Sequence, residues 1–274
     1  AESGAAPGEN LAHEPRRSLP PLLVSGAIDE ELTSEYKGTT LVSSKIEGTL
    51  STSISPQLPD NAGAFRLSIA SLDKVAHVQT NPSVAMRAPE SGTHEQHFEC
   101  IPPPSISAVA ALEGGGSDDA KGSKYFPLLR YSLKPEVKPV PFRLQVKTQP
   151  KSGGAILSIQ LAANPSFAAL SAISVTVAVA KQPGEKPPPS KPAATWVSPT
   201  ERTGVVWKEA SLKPGGKLVF QLAVTGPIGL IVTRCQTVTP VSGMRVQVSP
   251  SPARPGGVSS KWARRLRIRH TTQL

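Results

Sequence analysis

The sequence predicts an all-β protein, and three observations predict it. Apolar and polar residues alternate with period two in six separate runs, as strands with two unlike faces require. Each run is bounded by Gly, Pro or Ser clusters, and the chain carries 22 Gly and 29 Pro, a density that suits many strands joined by turns. No segment shows the apolar periodicity of a three-turn helix. Such alternation fits antiparallel sheets with one face buried.

Taken in order, residues 1–20 lack periodicity and read as a flexible lead-in; the chain begins with Ala and reads as a piece of something longer. In "LVSSKIEGTLSTSI" (41–54) Val42, Ile46, Leu50 and Ile54 point one way, and Ser43, Lys45, Glu47, Ser51 and Ser53 the other. "AFRLSIA" (64–70) aligns Phe65, Leu67 and Ile69 on one face. "ILSIQL" (156–161) aligns Leu157, Ile159 and Leu161, and "ISVTVAV" (173–179) aligns Ile173, Val175, Val177 and Val179. "GVVWKEASLKPGGKLVFQLAV" (204–224) reads as a hairpin turning at Pro214-Gly215-Gly216, with Leu218, Phe220, Leu222 and Val224 on one face of its second strand. "MRVQV" (244–248) adds Met244, Val246 and Val248. Three segments read as surface loops: "EGGGSDDAKGSK" (113–124), "KQPGEKPPPSKPA" (181–193), which favours extended polyproline conformations, and "PSPARPGG" (250–257).

Composition narrows the function. The formal net charge is +10, which favours polyanionic partners without specifying a fold. The two cysteines, Cys100 and Cys235, allow one disulfide but read as reduced thiols, because small secreted domains usually carry more. No apolar run reaches the ~18 residues of a membrane-spanning helix, and nothing near the start resembles a secretory apolar region. Membrane contact is therefore expected to be peripheral.

Catalytic and metal patterns fail. His94 and His97 in "HEQH" are three apart, not the four that place two ligands on one helix face. No Gly-x-Ser-x-Gly elbow and no phosphate-cradling loop occurs. Cys100 lies near His97 in sequence, which is weak evidence for a nucleophile. The expectation is a protein without enzymatic activity, metal or cofactor.

One segment is unusual. In "KWARRLRIRH" (261–270) an extended chain places Trp262, Arg264, Leu266, Ile268 and His270 on one face. Lys261, Arg265, Arg267 and Arg269 form a row of cations on the other, spaced about 6.5–7 Å. Such a row suits an acidic surface, where each basic residue near a leaflet contributes on the order of 1 kcal/mol. It equally suits an edge strand guarded by charge against aggregation. Nucleic acid fits less well, because Trp262 lies opposite the cations and single-strand binders interleave the two.

Several fragments, in order, resemble the μ homology domain of clathrin adaptor medium chains and of muniscin-type endocytic adaptors. They are "KIEGTLSTSI" (45–54), "FRLSIASLDK" (65–74), "LRYSLKPEVKPVPFRLQVKT" (129–148), "ILSIQLAANPSFAALSAISVTVAV" (156–179), "GVVWKEASLKPGGKLVFQLAV" (204–224), "PVSGMRVQV" (240–248) and "KWARRLRIRH". The resemblance implies an elongated pair of β-sandwich subdomains, with the second (143–226) inserted into the first (21–142 plus 227–274). It implies a peptide-binding module in which Trp262 and Arg264 match the family's Trp-x-Arg lining a tyrosine pocket. The family's opposing Asp falls near Ser25 or Gly26 here, and a pocket Lys is replaced at about Ser53. Without that carboxylate a tyrosine hydroxyl has no acceptor. The resemblance therefore leans to a muniscin-like or plant- or protist-type module of clathrin-mediated endocytosis. Such a module binds cargo or endocytic scaffold proteins at the cytosolic face of the plasma membrane, in coated pits, rather than serving as a medium-chain subunit for tyrosine signals. Lys261, Arg265, Arg267 and Arg269 would then hold it near acidic phospholipid or face a partner subunit of an adaptor complex.

Overall fold

The computed structural model describes residues 21–55, 63–89, 92, 94–101, 125–180, 186–252 and 256–274. The lead-in 1–20 and the loop 113–124 lie outside them, as do parts of the two Pro-rich loops. Among the described residues there are seventeen strands in three sheets and no α-helix.

The largest sheet begins with two long strands, β1 (Leu22–Lys37) and β2 (Thr40–Ser55), joined in an antiparallel hairpin. Both bury their even-numbered residues: Leu22, Val24, Ile28 and Leu32 on β1, Ile46 and Leu50 on β2. Val42 departs from the expected inward row and is 65 % exposed. The register shifts at Glu35/Tyr36, so Ser43 pairs with Glu35 and Leu41 with Tyr36, and Val42 is the extra residue of a bulge.

Further strands extend this sheet in both directions, and the others form two smaller sheets. Next come β3 (Phe65–Ala70), β4 (Val75–Thr80), β5 (Ala85–Arg87), β6 (Glu95–Cys100) and β7 (Phe126–Leu133). Then come β8 (Phe142–Lys151), β9 (Gly154–Ala163), β10 (Leu170–Val179), β11 (Ser190–Lys191), β12 (Thr195–Trp196), β13 (Gly204–Leu212) and β14 (Lys217–Val224). The last three are β15 (Ile228–Thr237), β16 (Arg245–Pro250) and β17 (Val258–Gln273). The nine-stranded sheet has the order β12-β13-β10-β15-β17-β1-β2-β7-β4; β17 runs parallel to β1 and antiparallel to β15. A four-stranded sheet β16-β3-β6-β5 and another, β11-β14-β9-β8, complete the molecule.

The inward rows expected on β3, β9 and β10 are buried as read: Phe65, Leu67 and Ile69; Leu157, Ile159 and Leu161; Ile173, Val175, Val177 and Val179. The segment 204–224 is not a hairpin. β13 pairs with β10 and β12, whereas β14 pairs with β9 and β11, so the tight turn at 213–216 carries the chain from one sheet to another. Gly215 takes φ +70°, which favours glycine, and Gly216 N donates to Lys213 O. Across this turn the strands meet through side chains: Trp207 and Phe220 have ring centroids 5.3 Å apart. Alternation reports only which face is buried. It is the same for strands paired edge to edge and strands facing each other across a core.

Candidate functional site

The basic strand β17 is interior to its sheet over half its length. From Leu266 to Thr272 it has β15 on one side and β1 on the other, and it buries Leu266, Ile268, His270 and Thr272. From 258 to 265 β1 continues beside it, but β15 has ended at Thr237, and no strand among the described residues pairs there. Among the described residues this stretch is an open sheet edge.

Trp262 lies on that open stretch, half-buried against the core. Its partner in the parallel register is Gly26 on β1, whose own partner on β2 is Thr52. The indole lies over Gly26: a Cβ built there would overlap ring atoms Cζ3 and Cε3. Indole Nε1 and Thr52 Oγ1 are both enclosed, and neither has a hydrogen-bond partner among the described residues. A buried donor left unpaired costs roughly 1–3 kcal/mol. Arg264 shares this face, beside Ile28, and is exposed. Ser25 and Ser53 belong to the opposite, odd-numbered face. The structure thus places Trp262 and Arg264 on one face of the open stretch, with the indole over Gly26.

Two of the four cations of the other face, Arg265 and Arg267, stand beside acids. Arg265 Nε donates to Asp29 Oδ1 at 2.6 Å. Arg267 is paired in register with Glu31, which is itself opposite Glu47, and Glu47 binds Lys45 at 2.7 Å. Arg269 pairs with Thr33 and, across β15, with Arg234. Lys261, Arg267 and Arg269 are exposed.

Below the open edge a buried carboxylate braces the chain. Glu30, 1 % exposed, accepts from Tyr131 Oη at 2.9 Å, from Val241 N at 2.6 Å and from Ser242 N at 3.2 Å. These bonds fix the segment that leaves β15 and so set where the open edge begins. Burial, and then the Glu30 charge, push the Tyr131 hydroxyl well above the usual phenol range. The sequence reading missed Glu30 and Thr52, and named Gly26 only as a place where the family's carboxylate is absent. Their signal lies in cross-strand register, which one sequence does not display.

Further along β17, His270 is 8 % exposed, between the rings of Tyr36 and Phe142, with Nδ1 3.2 Å from Ser34 Oγ and Nε2 2.9 Å from Thr272 Oγ1. Burial pulls its pKa down from 6.5 to about 4. His97 Nδ1 lies 2.8 Å from Ser68 Oγ. Among the described residues no group of three His, Cys, Asp or Glu is placed to hold a metal ion, and no helix is long and apolar enough to cross a membrane. Cys100 and Cys235 are free, buried thiols; burial raises both, Cys235 to about 12.

A continuous nine-stranded sheet backed by two separate four-stranded ones is the architecture of a mu homology domain. The chain belongs to the muniscin C-terminal mu homology domain family, whose model matches residues 21–222. Among solved structures it is similar to the Fcho1 mu homology domain of Danio rerio with bound Eps15 peptide. That match has 18 % identity and TM-score 0.64, covering 93 % of this chain and 97 % of that one. It is also similar to the yeast delta-COP-I mu-homology domain, at 14 % identity and TM-score 0.57, over 92 % of this chain and 98 % of that one. The same yeast domain complexed with a Dsl1 WxWxV peptide gives 14 % and 0.53 over the same shares. No curated protein matches the chain.

Proposed function

We propose that this domain is a non-enzymatic cargo- or accessory-protein-binding module of a muniscin-type endocytic adaptor. It works in clathrin-mediated endocytosis at the cytosolic face of the plasma membrane and needs no cofactor. The observation that carries the reading is the open edge of β17 at 258–265, with Trp262 and Arg264 beside it and the indole Nε1 unpaired. An extended peptide added there gains main-chain hydrogen bonds from the edge and selectivity from the side chains flanking it. Solved relatives with bound Eps15 and Dsl1 peptides support a peptide ligand. The exposed Lys261, Arg267 and Arg269, with Arg265, give the reverse face a cationic rim that draws acidic partners towards the edge. In this reading 143–226 forms the subdomain inserted into 21–142 plus 227–274.

Tyrosine signals are the less favoured ligand, because neither Ser25 nor Gly26 supplies an accepting carboxylate and the indole of Trp262 covers Gly26. Calorimetric titration tests both points. Extended peptides from endocytic scaffold proteins should bind with micromolar affinity, Tyr-x-x-φ peptides should not, and Trp262→Ala should abolish binding while thermal unfolding remains cooperative. Scaffold-peptide binding indifferent to Trp262→Ala would remove the edge from the proposal.

A further inference from the structure

We infer that the free edge of β8 is a second strand-addition site, whose ligand is an extended peptide of the pattern acidic–apolar–x–apolar–acidic. The site is separate from the edge of β17 and does not depend on it. β8 begins where the ring of Phe142 packs on His270 of β17, with centroids 5.4 Å apart. His270 lies eight residues beyond Trp262, about 26 Å along an extended strand. A five-residue ligand, about 17 Å long, at one edge does not reach the other.

The sheet β11-β14-β9-β8 ends at β8, and only β9 pairs with it among the described residues. β8 has ten residues, whereas the other terminal strands, β4, β5, β11, β12 and β16, have two to six. A terminal strand turns alternate main-chain amides and carbonyls away from its one neighbour. β8 therefore offers a long row of unpaired main-chain groups, and Pro150 is its only residue with no amide hydrogen.

The side chains of β8 say what would pair there. On the inner face the core is covered from one side only. Leu161 and Ile159 of β9 are fully buried, yet their β8 partners Leu144 and Val146 are half-buried. An added strand with apolar residues opposite Leu144 and Val146 would close that flank. On the outer face Arg143 and Lys147 are exposed, without an acidic partner among the described residues. Their β9 partners are Ala162 and Ser158, and the sequence has no Asp or Glu from 137 to 184. Acidic side chains opposite Arg143 and Lys147 supply the cross-strand pairs that β9 does not. The basic row of β17 differs, because Asp29 and Glu31 on β1 already stand beside Arg265 and Arg267.

The required pattern reads the same in both directions, so the side chains fix the ligand's register and not its polarity. A second copy of β8 does not meet it. With matching faces, self-pairing would gather Arg143, Lys147 and Lys151 of both copies on one surface. The cations and Pro150 guard the edge against its own kind while leaving it open to an acidic strand.

The test titrates the 274-residue chain with the labelled peptide Thr-Glu-Val-Thr-Val-Glu-Thr, read by fluorescence anisotropy. Binding should saturate. Arg143→Gln/Lys147→Gln should weaken it about ten-fold, as should exchanging both peptide glutamates for glutamine. Trp262→Ala should leave it unchanged. Two further peptides carry N-methyl groups on one or the other alternate set of amides. In an added strand one set faces β8 and the other faces solvent, so one methylated peptide should bind and the other should not. Bound peptide should slow amide hydrogen exchange in β8 and not in 258–265. No binding at low salt would overturn the inference, as would equal binding by the two methylated peptides, which would mean attraction without strand pairing. Loss of binding in Trp262→Ala would overturn it by assigning the peptide to β17. Dimerisation of the chain that Lys147→Glu abolishes in sedimentation velocity would overturn it by giving the edge to a second copy.

Discussion

The hydroxyl of Tyr131 reaches across an intervening strand to the buried carboxylate of Glu30, 2.9 Å away. Glu30, Gly48 and Tyr131 are register partners on β1, β2 and β7, and a Cβ on Gly48 would overlap the tyrosine ring at Cζ. The glycine is what lets the ring lie flat over β2. Tyr131→Phe should therefore lower stability by roughly 1–3 kcal/mol, because a buried acceptor loses a donor. Gly48→Ala should cost at least as much by displacing the ring. In denaturant unfolding the two effects should not add, since both break the same contact.

The same device recurs at the open edge with Gly26 and Trp262. Gly26→Val cannot coexist with the indole in its present place. The variant should fold with altered near-ultraviolet dichroism and lose peptide binding, whereas Ser25→Val, on the opposite face, should retain both. Equal binding by the Gly26 variant would show that the indole's position is irrelevant to the ligand.

His270 makes stability depend on acidity. Its folded pKa lies near 4 and its ordinary value is 6.5, so the unfolded chain binds more protons between these limits. The stabilisation is complete above about pH 6.5 and is lost as pH falls towards 4, by up to roughly 3 kcal/mol. The ring packs on Ser34, Tyr36, Phe142 and Thr272. Carboxylates titrate in the lower part of the same window, so the diagnostic quantity is the difference between wild type and His270→Gln, which should shrink steadily from pH 6.5 to 4.

Two buried thiols should be silent towards a thiol reagent at pH 8. Cys100 is fully enclosed, and Cys235 titrates near pH 12. The folded protein should show no fast-reacting thiol, and the chain unfolded without reductant should show two. A count of zero on unfolding would mean a disulfide.

Much of the fold was legible because alternation is local. Phe65, Leu67 and Ile69 announce their buried face within six residues. Pairing is not local. Nothing within 204–224 distinguishes a hairpin from a chain crossing between sheets, and the bulge at Val42 depends on a partner seven residues behind it, at Glu35. β1 escaped the count of alternating runs because Gly26 and Glu30 interrupt its apolar face. Each makes sense only beside Trp262 or Tyr131. At the candidate site the arginines of 261–270 are legible in the sequence, whereas Asp29 and Glu31 become their neighbours only through the register of β1 and β17.

The nine-stranded sheet also limits how this protein can be cut. Cleaving out 143–226 would strip β10 of β15 along Leu170–Val179 and leave a ten-residue, largely apolar strand with its amide groups bare on one flank. Isolated in that way, the fragment is expected to stick to copies of itself before it can act as a domain. The molecule should therefore tolerate insertions in its loops far better than excision of 143–226.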